Sequence, residues 1–193
     1  MIATKNKGKL KEFEAIFQSF GFSVVSMNDL PIELEIVEDG ETFEANALIK
    51  ARAIASHYSG MIVADDSGLE VDALNQKPGV YSARYAKEPC DDEANMDKVL
   101  QELKQVPFID RTARFVCALA VITPDKQEYL ARGTCEGRIT TERQGTKGFG
   151  YDPIFYVPTH DKTMAQLSKD EKNTISHRGQ ALEKLVQLLK EFN

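Results

Sequence analysis

Apolar residues recur at helical or strand spacing along the first third of the chain and predict alternating helices and strands. A helix is predicted at the start, with Asn6 as its N-cap and Gly21 as its stop, from an apolar stripe of Leu10, Phe13, Phe17 and Phe20. Residues 22–27 then predict a strand. A second helix is predicted over residues 42–58, followed by a buried strand over the apolar residues 61–64.

The rest of the chain continues this alternation but adds a hairpin. A third helix is predicted to begin at Asp91 or Asp92 and to end before Pro107. Two long strands, over residues 111–122 and 128–140, are joined at Pro124-Asp125. Ser168 to Glu171 forms a capping box for a short helix, and a final helix carries Leu182, Leu185, Val186 and Leu189. Long hairpin strands among helices indicate an α/β fold with a mixed sheet flanked by helices.

Composition excludes several classes of function for this 193-residue chain. It is acidic, with a formal net charge of −6, whereas a protein that coats nucleic acid needs a broad basic surface. Its three cysteines form no CxxC pair, which argues against a disulfide framework or a zinc site. Because no apolar stretch reaches signal-peptide or membrane-spanning length, we expect a cytoplasmic protein without a membrane partner.

The first candidate site is a lysine-rich turn where the first helix begins. It contains Thr4, Lys5, Asn6, Lys7, Gly8 and Lys9. A helix N-terminus presents unpaired N–H groups and a partial positive charge, so lysines gathered there suit a bound phosphate. The segment is not a P-loop, and a solvated loop with incidental lysines is the alternative.

The second candidate is Asp65-Asp66-Ser67-Gly68, directly after the predicted strand over residues 61–64. Carboxylate oxygens are hard ligands that suit Mg²⁺, which takes one or two carboxylates together with substrate phosphates. Glu38 lies in an acidic segment before the second helix, which is most simply a solvated face and becomes relevant if Asp66 needs a second carboxylate to hold a metal. The alternative is an Asx-type turn that ends the strand and faces water.

Two further candidates lie in the last quarter of the chain. The sequence Gly148-Phe149-Gly150-Tyr151-Asp152-Pro153 predicts a shaped loop whose aromatic ring suits stacking on a base. Lys172 and the sequence Ser176-His177-Arg178-Gly179, just before the last helix, supply groups for purine oxygens or phosphates. A structural turn and a basic surface patch are the corresponding alternatives.

Six motifs occur in one order along the chain: IATKNKGKLKEF, ETFEANALIKA, VADDSGLEVDAL, PGVYSARYA, GFGYDPIFY and EKNTISHRGQAL. Together they resemble the inosine triphosphate pyrophosphatase family, and in particular its bacterial dITP/XTP pyrophosphatases. The resemblance runs from Ile2 to about Leu182. It implies an elongated α/β fold with a mixed sheet flanked by helices, two lobes around a central nucleotide-binding cleft, and a single domain over residues 1–193.

The resemblance also implies roles for residues at matching positions. Asp66 corresponds to the proton acceptor and magnesium ligand, and Glu38 corresponds to a further metal ligand. The substrate-binding positions that match are Thr4, Lys5, Asn6, Lys7, Gly8 and Lys9 for the triphosphate, Ser67 beside Asp66, and Phe149, Gly150, Tyr151, Asp152, Lys172, His177 and Arg178 for the base and the rest of the nucleotide.

The implied activity is magnesium-dependent hydrolysis of ITP, dITP and XTP to the monophosphate and pyrophosphate, in a homodimer. The base that takes a proton from the attacking water remains open among Asp66, Asp65 and a metal-bound hydroxide. Two rival functions also remain. One is a general nucleotide phosphatase that releases orthophosphate, and the other is a sensor that binds a nucleotide without hydrolysing it.

Overall fold

A mixed six-stranded sheet flanked by helices forms the fold in the computed structural model, which describes residues 1–4, 7–19, 25–26 and 34–191. Sheet order follows chain order. Parallel pairing of the first two strands and antiparallel pairing of the fourth with the fifth confirm the predicted mixed sheet. The strands are β1 (Ile2–Ala3), β2 (Ile62–Val71), β3 (Thr112–Ile122), β4 (Glu128–Ile139), β5 (Phe155–Val157) and β6 (Lys162–Thr163).

Five α-helices are found among these residues. They are α1 (Lys7–Ser19), α2 (Phe43–Ala55), α3 (Asp92–Glu102), α4 (Lys169–Ile175) and α5 (His177–Glu191). Over the described ranges, none of the helices combines the length and the apolar character needed to cross a membrane.

Most predicted helices are confirmed, with small differences at their ends. The side chain of Thr42 caps α2 by accepting a hydrogen bond from the Ala45 N–H, but the helix ends at Ala55 rather than at residue 58. Asp91 caps α3 in the same way, through the Ala94 N–H. The predicted cap Asn6, the stop Gly21 and Phe20 lie outside the described residues. Of the strand predicted over residues 22–27, only residues 25–26 are described, and Ser26 bridges to Ile2.

The prediction for β2 is wrong in one respect that affects the candidate site. The strand was expected to stop at residue 64, but it runs from Ile62 to Val71. Asp65 and Asp66 therefore lie inside a strand and not in a turn after it. Two carboxylates interrupt the apolar pattern, and the chain nevertheless stays extended because helices supply charged and polar partners to both.

The described contacts divide the chain into two compact units. The first comprises Met1–Asp66, Cys117–Gly133 and His177–Asn193, and the second comprises Ser67–Val116 and Thr134–Ser176. Each unit has its own apolar core.

In the first unit, α1 and α5 contact each other and pack on the sheet. The core consists of Ile2, Phe13, Phe17, Val63, Cys117, Leu119, Val121, Ala131, Ala181, Leu182, Leu185 and Val186. Its three residues from β3, Cys117, Leu119 and Val121, occupy every second position, as expected for one face of a strand. The buried stripe of α2 lies outside this core cluster and contains Phe43, Ala47, Ala51 and Ile54.

In the second unit, α3 packs on the strand segments that belong to this unit. The core includes Leu69, Val71, Met96, Val99, Leu103, Phe115, Ile139, Ile154, Phe155, Met164 and Leu167. The predicted capping box of α4 is confirmed, since the Ser168 and Glu171 side chains each accept from the other residue's N–H. These contacts fix the direction in which α4 leaves Leu167.

One glycine of the first unit allows a close approach that positions the start of α5. A Cβ on Gly133, in β4, would overlap the carbonyl oxygen of His177 and lie 3.0 Å from Cα of Ala181. No side chain fits there, because the atoms it would meet are backbone atoms. The first turn of α5 therefore rests directly on β4.

We expect the substitution Gly133→Ala to destabilise the protein by about 1–3 kcal/mol, the usual cost of overpacking. Gly60→Ala is a matched control, because its Cβ would meet only the flexible side chain of Tyr58, at 2.6 Å from Cε1. Urea denaturation of the two variants measures the difference. Equal stability of both variants would show that α5 moves away from β4 without cost.

Candidate active site

The candidate site is built on the two adjacent carboxylates in β2. Asp65 is 2% exposed and Asp66 is 8% exposed. Burial of an ionised carboxylate is costly unless charges or hydrogen bonds compensate it. Because consecutive side chains of a strand point to opposite faces of the sheet, each carboxylate needs partners from a different direction.

Asp65 is neutralised by lysine and arginine side chains from three helices, α1, α2 and α5. Lys9 in α1 places its Nζ 2.8 Å from Oδ2 of Asp65. Burial alone would raise the pKa of Asp65, but the charges of Lys9, Lys50 and Arg178 outweigh it and hold this pKa below its ordinary value. Asp65 is therefore a carboxylate that stays ionised.

Asp66 is compensated less completely, by residues of α2. Asn46 donates from Nδ2 to Oδ2 of Asp66 at 3.2 Å, and Lys50 Nζ lies 3.5 Å from Oδ1. Burial dominates over these contacts and over Lys9, and together with the nearby charge of Glu38 it raises the pKa of Asp66. Two neighbouring carboxyl groups thus have pKa values displaced in opposite directions, an arrangement that separates roles in acid–base catalysis.

Lys50 connects Asp66 to Glu38. Its Nζ lies 2.8 Å from Oε2 of Glu38 in addition to its contact with Asp66. Burial would lower the pKa of Lys50, but the carboxylates of Asp65, Asp66 and Glu38 together raise it. We call the whole set the carboxylate–lysine cluster, which consists of Lys9, Glu38, Asn46, Lys50, Asp65, Asp66 and Arg178.

The carboxylate oxygens of this cluster fit a magnesium ion that is also coordinated by the substrate. Within the described ranges, no three His, Cys, Asp or Glu side chains are grouped so as to hold a metal by themselves. Mg²⁺ does not require such a group, since it is commonly bound by one or two carboxylates, waters and substrate phosphates. The carboxylates of Glu38 and Asp66 both contact the Lys50 ammonium group, so their oxygens face one position that already holds a positive charge.

The predicted phosphate segment is only partly described. Thr4 is buried and directly follows β1, whose Ala3 pairs with Ala64 beside Asp65. Lys7 and Gly8 are described only as the first backbone residues of α1, and Lys5 and Asn6 lie outside the described residues. Thr4 and Lys9 thus remain as the segment's described side chains.

The predicted base-binding loop of the second unit is held by its own aspartate. Oδ2 of Asp152 accepts from the Phe149 N–H at 2.9 Å and from Lys172 Nζ at 2.7 Å. The Lys172 ammonium also lies 5.1 Å from the centroid of the Phe149 ring. A Cβ on Gly148 would overlap the same Oδ2, which explains why glycine stands there. The structure thus brings Phe149, Asp152 and Lys172 together.

The remaining predicted residues fall in both units. His177 and Arg178 are buried and belong to the first turn of α5, so their predicted position before the helix is wrong. The reason is that a single extended residue, Ser176, is enough to separate α4 from α5. Ser67 is half-buried and continues β2 after Asp66.

Sequence reasoning missed Asn46 and Lys50, which are central to the cluster. A signal was present, because both lie next to the apolar stripe of α2 and are spaced one helical turn apart. Asn46 is buried and also accepts from the Gly40 N–H at 2.8 Å, which ties it to the segment that carries Glu38. Polar residues at positions that a helix buries are a sign of buried partners.

The two carboxylates should respond in opposite ways to amide substitution. The pKa of Asp65 is lowered in the fold, so its stabilisation is present at neutral pH and is lost as the pH falls through that value. Asp65→Asn should therefore cost about 3–5 kcal/mol near pH 7, as when one partner of a buried pair is removed. The loss in free energy of unfolding should become smaller at acidic pH.

The pKa of Asp66 is raised in the fold, so its ionised form lowers stability at neutral pH, and the effect disappears as the pH falls. Asp66→Asn should therefore leave stability near pH 7 unchanged or increase it. Urea denaturation of both variants between pH 4 and 8 (about the range in which native carboxylates and histidines titrate) checks both expectations. Equal destabilisation by the two substitutions would contradict the asymmetry.

Comparison with known proteins agrees with this fold. The Ham1 family model matches residues 1–188. A dITP/XTP pyrophosphatase of Bacillus cereus is 56% identical over 194 residues, covering 100% of this chain and 95% of that protein. One from Bacillus subtilis is 53% identical over 189 residues, covering 98% and 96%. The solved structure of the Staphylococcus aureus Ham1 protein has a TM-score of 0.89 and 46% identity, covering 100% of this chain and 98% of that one. Since these similarities span nearly the whole sequence, the chain belongs to the Ham1 family.

Proposed function

We propose that this protein hydrolyses non-standard purine nucleoside triphosphates, namely ITP, dITP, XTP and dXTP, to the monophosphate and pyrophosphate. Such an activity would cleanse the nucleotide pool and keep these bases out of DNA and RNA. The observation that carries the proposal is the buried pair Asp65–Asp66, whose pKa values are displaced in opposite directions beside Lys9 and Lys50. The names of the two Bacillus relatives support the choice of substrate.

In this proposal Asp66 takes the proton from the water that attacks the α-phosphorus. The pKa of Asp66 is raised in the metal-free protein, which makes it a better proton acceptor than Asp65, and a magnesium ion held by Asp66 would lower this pKa. Asp65 is a poor candidate for that role, because its pKa is lowered and Lys9 lies 2.8 Å away. Asp65 instead keeps the Lys9 ammonium in place.

Phosphate charge would be met by Lys9, Thr4 and the N-terminal backbone of α1. Lys9 projects from the first turn of that helix, where unpaired N–H groups and the helix dipole already favour an anion. Lys5, Asn6, Lys7 and Gly8 are proposed to complete this segment. Ser67 is proposed to contact the substrate beside Asp66.

Magnesium would be held by Glu38 and Asp66. When bound, it would supply positive charge that neutralises the charge developing on the leaving pyrophosphate. Lys50 Nζ lies 2.8 Å from Oε2 of Glu38 and 3.5 Å from Oδ1 of Asp66. The protein itself therefore directs both carboxylates at one ammonium group. Lys50 thereby limits their mutual repulsion when the metal is absent.

The purine would be read by the loop that contains Phe149, Gly150, Tyr151 and Asp152, together with Lys172, His177 and Arg178. An ammonium group carries three N–H donors, so Lys172 can bind Asp152 and the 6-oxo group of hypoxanthine or xanthine together. Adenine presents a 6-amino group instead, which leaves such a donor without an acceptor. Each lost contact of this kind costs about 1–3 kcal/mol.

A homodimer and a cytoplasmic location also remain predictions from the family resemblance and the composition. The same holds for the view that residues 1–193 act as a single domain. Sedimentation analysis of the purified protein tests the dimer directly.

The proposed activity is tested by turnover of ITP, XTP, GTP and ATP with magnesium, with pyrophosphate and orthophosphate measured separately. We expect rapid pyrophosphate release from ITP and XTP and little from GTP or ATP. Asp66→Asn should reduce turnover of ITP by at least ~100-fold, as expected for loss of a general base. Orthophosphate release would favour a general phosphatase, and binding of ITP without turnover would favour a sensor.

The metal assignment predicts a specific change in the magnesium requirement. Glu38→Gln should raise the magnesium concentration needed for half-maximal turnover by about 10-fold, because one charged ligand is lost. Glu35→Gln is a matched control on the same segment, since Glu35 is exposed. Titration of turnover with magnesium for both variants provides the measurement. An unchanged requirement in Glu38→Gln would exclude Glu38 as a ligand.

A further inference from the structure

Two carboxylates hold consecutive backbone amides at the tip of the loop over residues 148–153. The Phe149 N–H donates to Oδ2 of Asp152 at 2.9 Å. The next amide, of Gly150, donates to Oδ2 of Asp92 at 2.9 Å. Asp152 belongs to the loop itself, whereas Asp92 comes from α3, 58 residues earlier in the chain. The direction of the tip is therefore fixed partly by a distant helix.

The position of Asp92 is not explained by helix capping. The cap of α3 is Asp91, whose Oδ1 accepts from the Ala94 N–H at 3.0 Å. Asp92 is the first residue of the helix, and its other oxygen, Oδ1, accepts from the Cys90 thiol at 3.4 Å. The Asp92 side chain is exposed to solvent, and its Oδ2 nevertheless accepts a hydrogen bond from the Gly150 N–H.

The base of the loop is fixed independently of Asp92. The buried Tyr151 hydroxyl donates to the Ser82 carbonyl at 2.7 Å. The Ser82 hydroxyl donates to the Gly79 carbonyl and accepts from the Leu69 N–H. Loss of the Asp92 contact would therefore free the Gly150 amide, next to Phe149, without unfolding the loop.

The charge at the tip indicates what it binds. Amides that would otherwise attract an anion already face the carboxylates of Asp92 and Asp152, so a phosphate is repelled from this tip. The Phe149 ring beside the Lys172 ammonium instead suits an uncharged, flat ligand with a carbonyl acceptor. A purine with a 6-oxo group has this chemistry.

We propose that Asp92 is a positioning residue for purine recognition, which holds the Gly150 amide and thereby keeps the adjoining Phe149 ring in register with the base. This inference rests on the proposed function of the loop. It adds a residue that lies outside the six sequence motifs.

The test compares Asp92→Ala with Asp92→Asn and Asp91→Ala. Asp92→Ala should raise KM for dITP by ~5- to 10-fold, since a hydrogen bond to a charged group is lost, with little change in kcat. The preference for dITP over dATP, measured as the ratio of kcat/KM values, should fall several-fold. Asp92→Asn should restore both quantities, because its amide oxygen accepts the same hydrogen bond.

Asp91→Ala is the matched control for helix stability. It removes the cap of the same helix and should lower the melting temperature, but it should leave KM and the dITP preference unchanged. If Asp92→Ala behaves like Asp91→Ala in KM and in preference, the inference is overturned. A raised KM and a reduced dITP preference in Asp92→Asn would overturn it too, because loss of the hydrogen bond would then not be the cause.

A second measurement does not depend on the substrate. Hydrogen exchange of the Gly150 amide, followed by NMR, should be faster in Asp92→Ala than in the wild type and in Asp91→Ala. Unchanged exchange would overturn the inference by itself. Failure of the wild-type protein to release pyrophosphate from dITP, with Gly150 still protected by Asp92, would instead contradict the proposed function.

Discussion

Burial of two adjacent carboxylates in β2 is the constraint that the first unit is built to satisfy. Three helices supply the compensation. The charges of Lys9 in α1 and Lys50 in α2 act on both carboxylates, Arg178 in α5 adds to the compensation of Asp65, and Asn46 in α2 donates a hydrogen bond to Asp66. The close approach of α5 to β4 at Gly133 serves the same purpose, since it places the turn that carries Arg178.

The compensation of the two carboxylates is unequal. Asp65 has a lowered pKa and contributes to stability, whereas Asp66 has a raised pKa and lowers it at neutral pH. A fold selected for stability alone would neutralise both groups fully. Retaining Asp66 in an undercompensated position is consistent with the trade-off between stability and activity at functional sites.

Local patterns predicted the helices and the mixed sheet, and long-range contacts explain what they missed. The α4 capping box and the hairpin at Pro124-Asp125 depend on neighbouring residues, and both were predicted correctly. The continuation of β2 through Asp65 and Asp66 depends on lysines that are distant in sequence, so the local apolar pattern placed the end of the strand at residue 64. Family resemblance indicated Asp66 and Glu38, but Lys50, which connects them, emerged only from the structure.

The polar groups of the two units also explain how an acidic protein is suited to a polyanionic substrate. Net charge is −6, yet Lys9, Lys50 and Arg178 are gathered around the carboxylates of the first unit. In the second unit, the loop amides face Asp92 and Asp152, which disfavours a phosphate and leaves the Phe149 ring and Lys172 for an uncharged base. The local placement of charge, and not its total, therefore decides which ligand groups each unit suits.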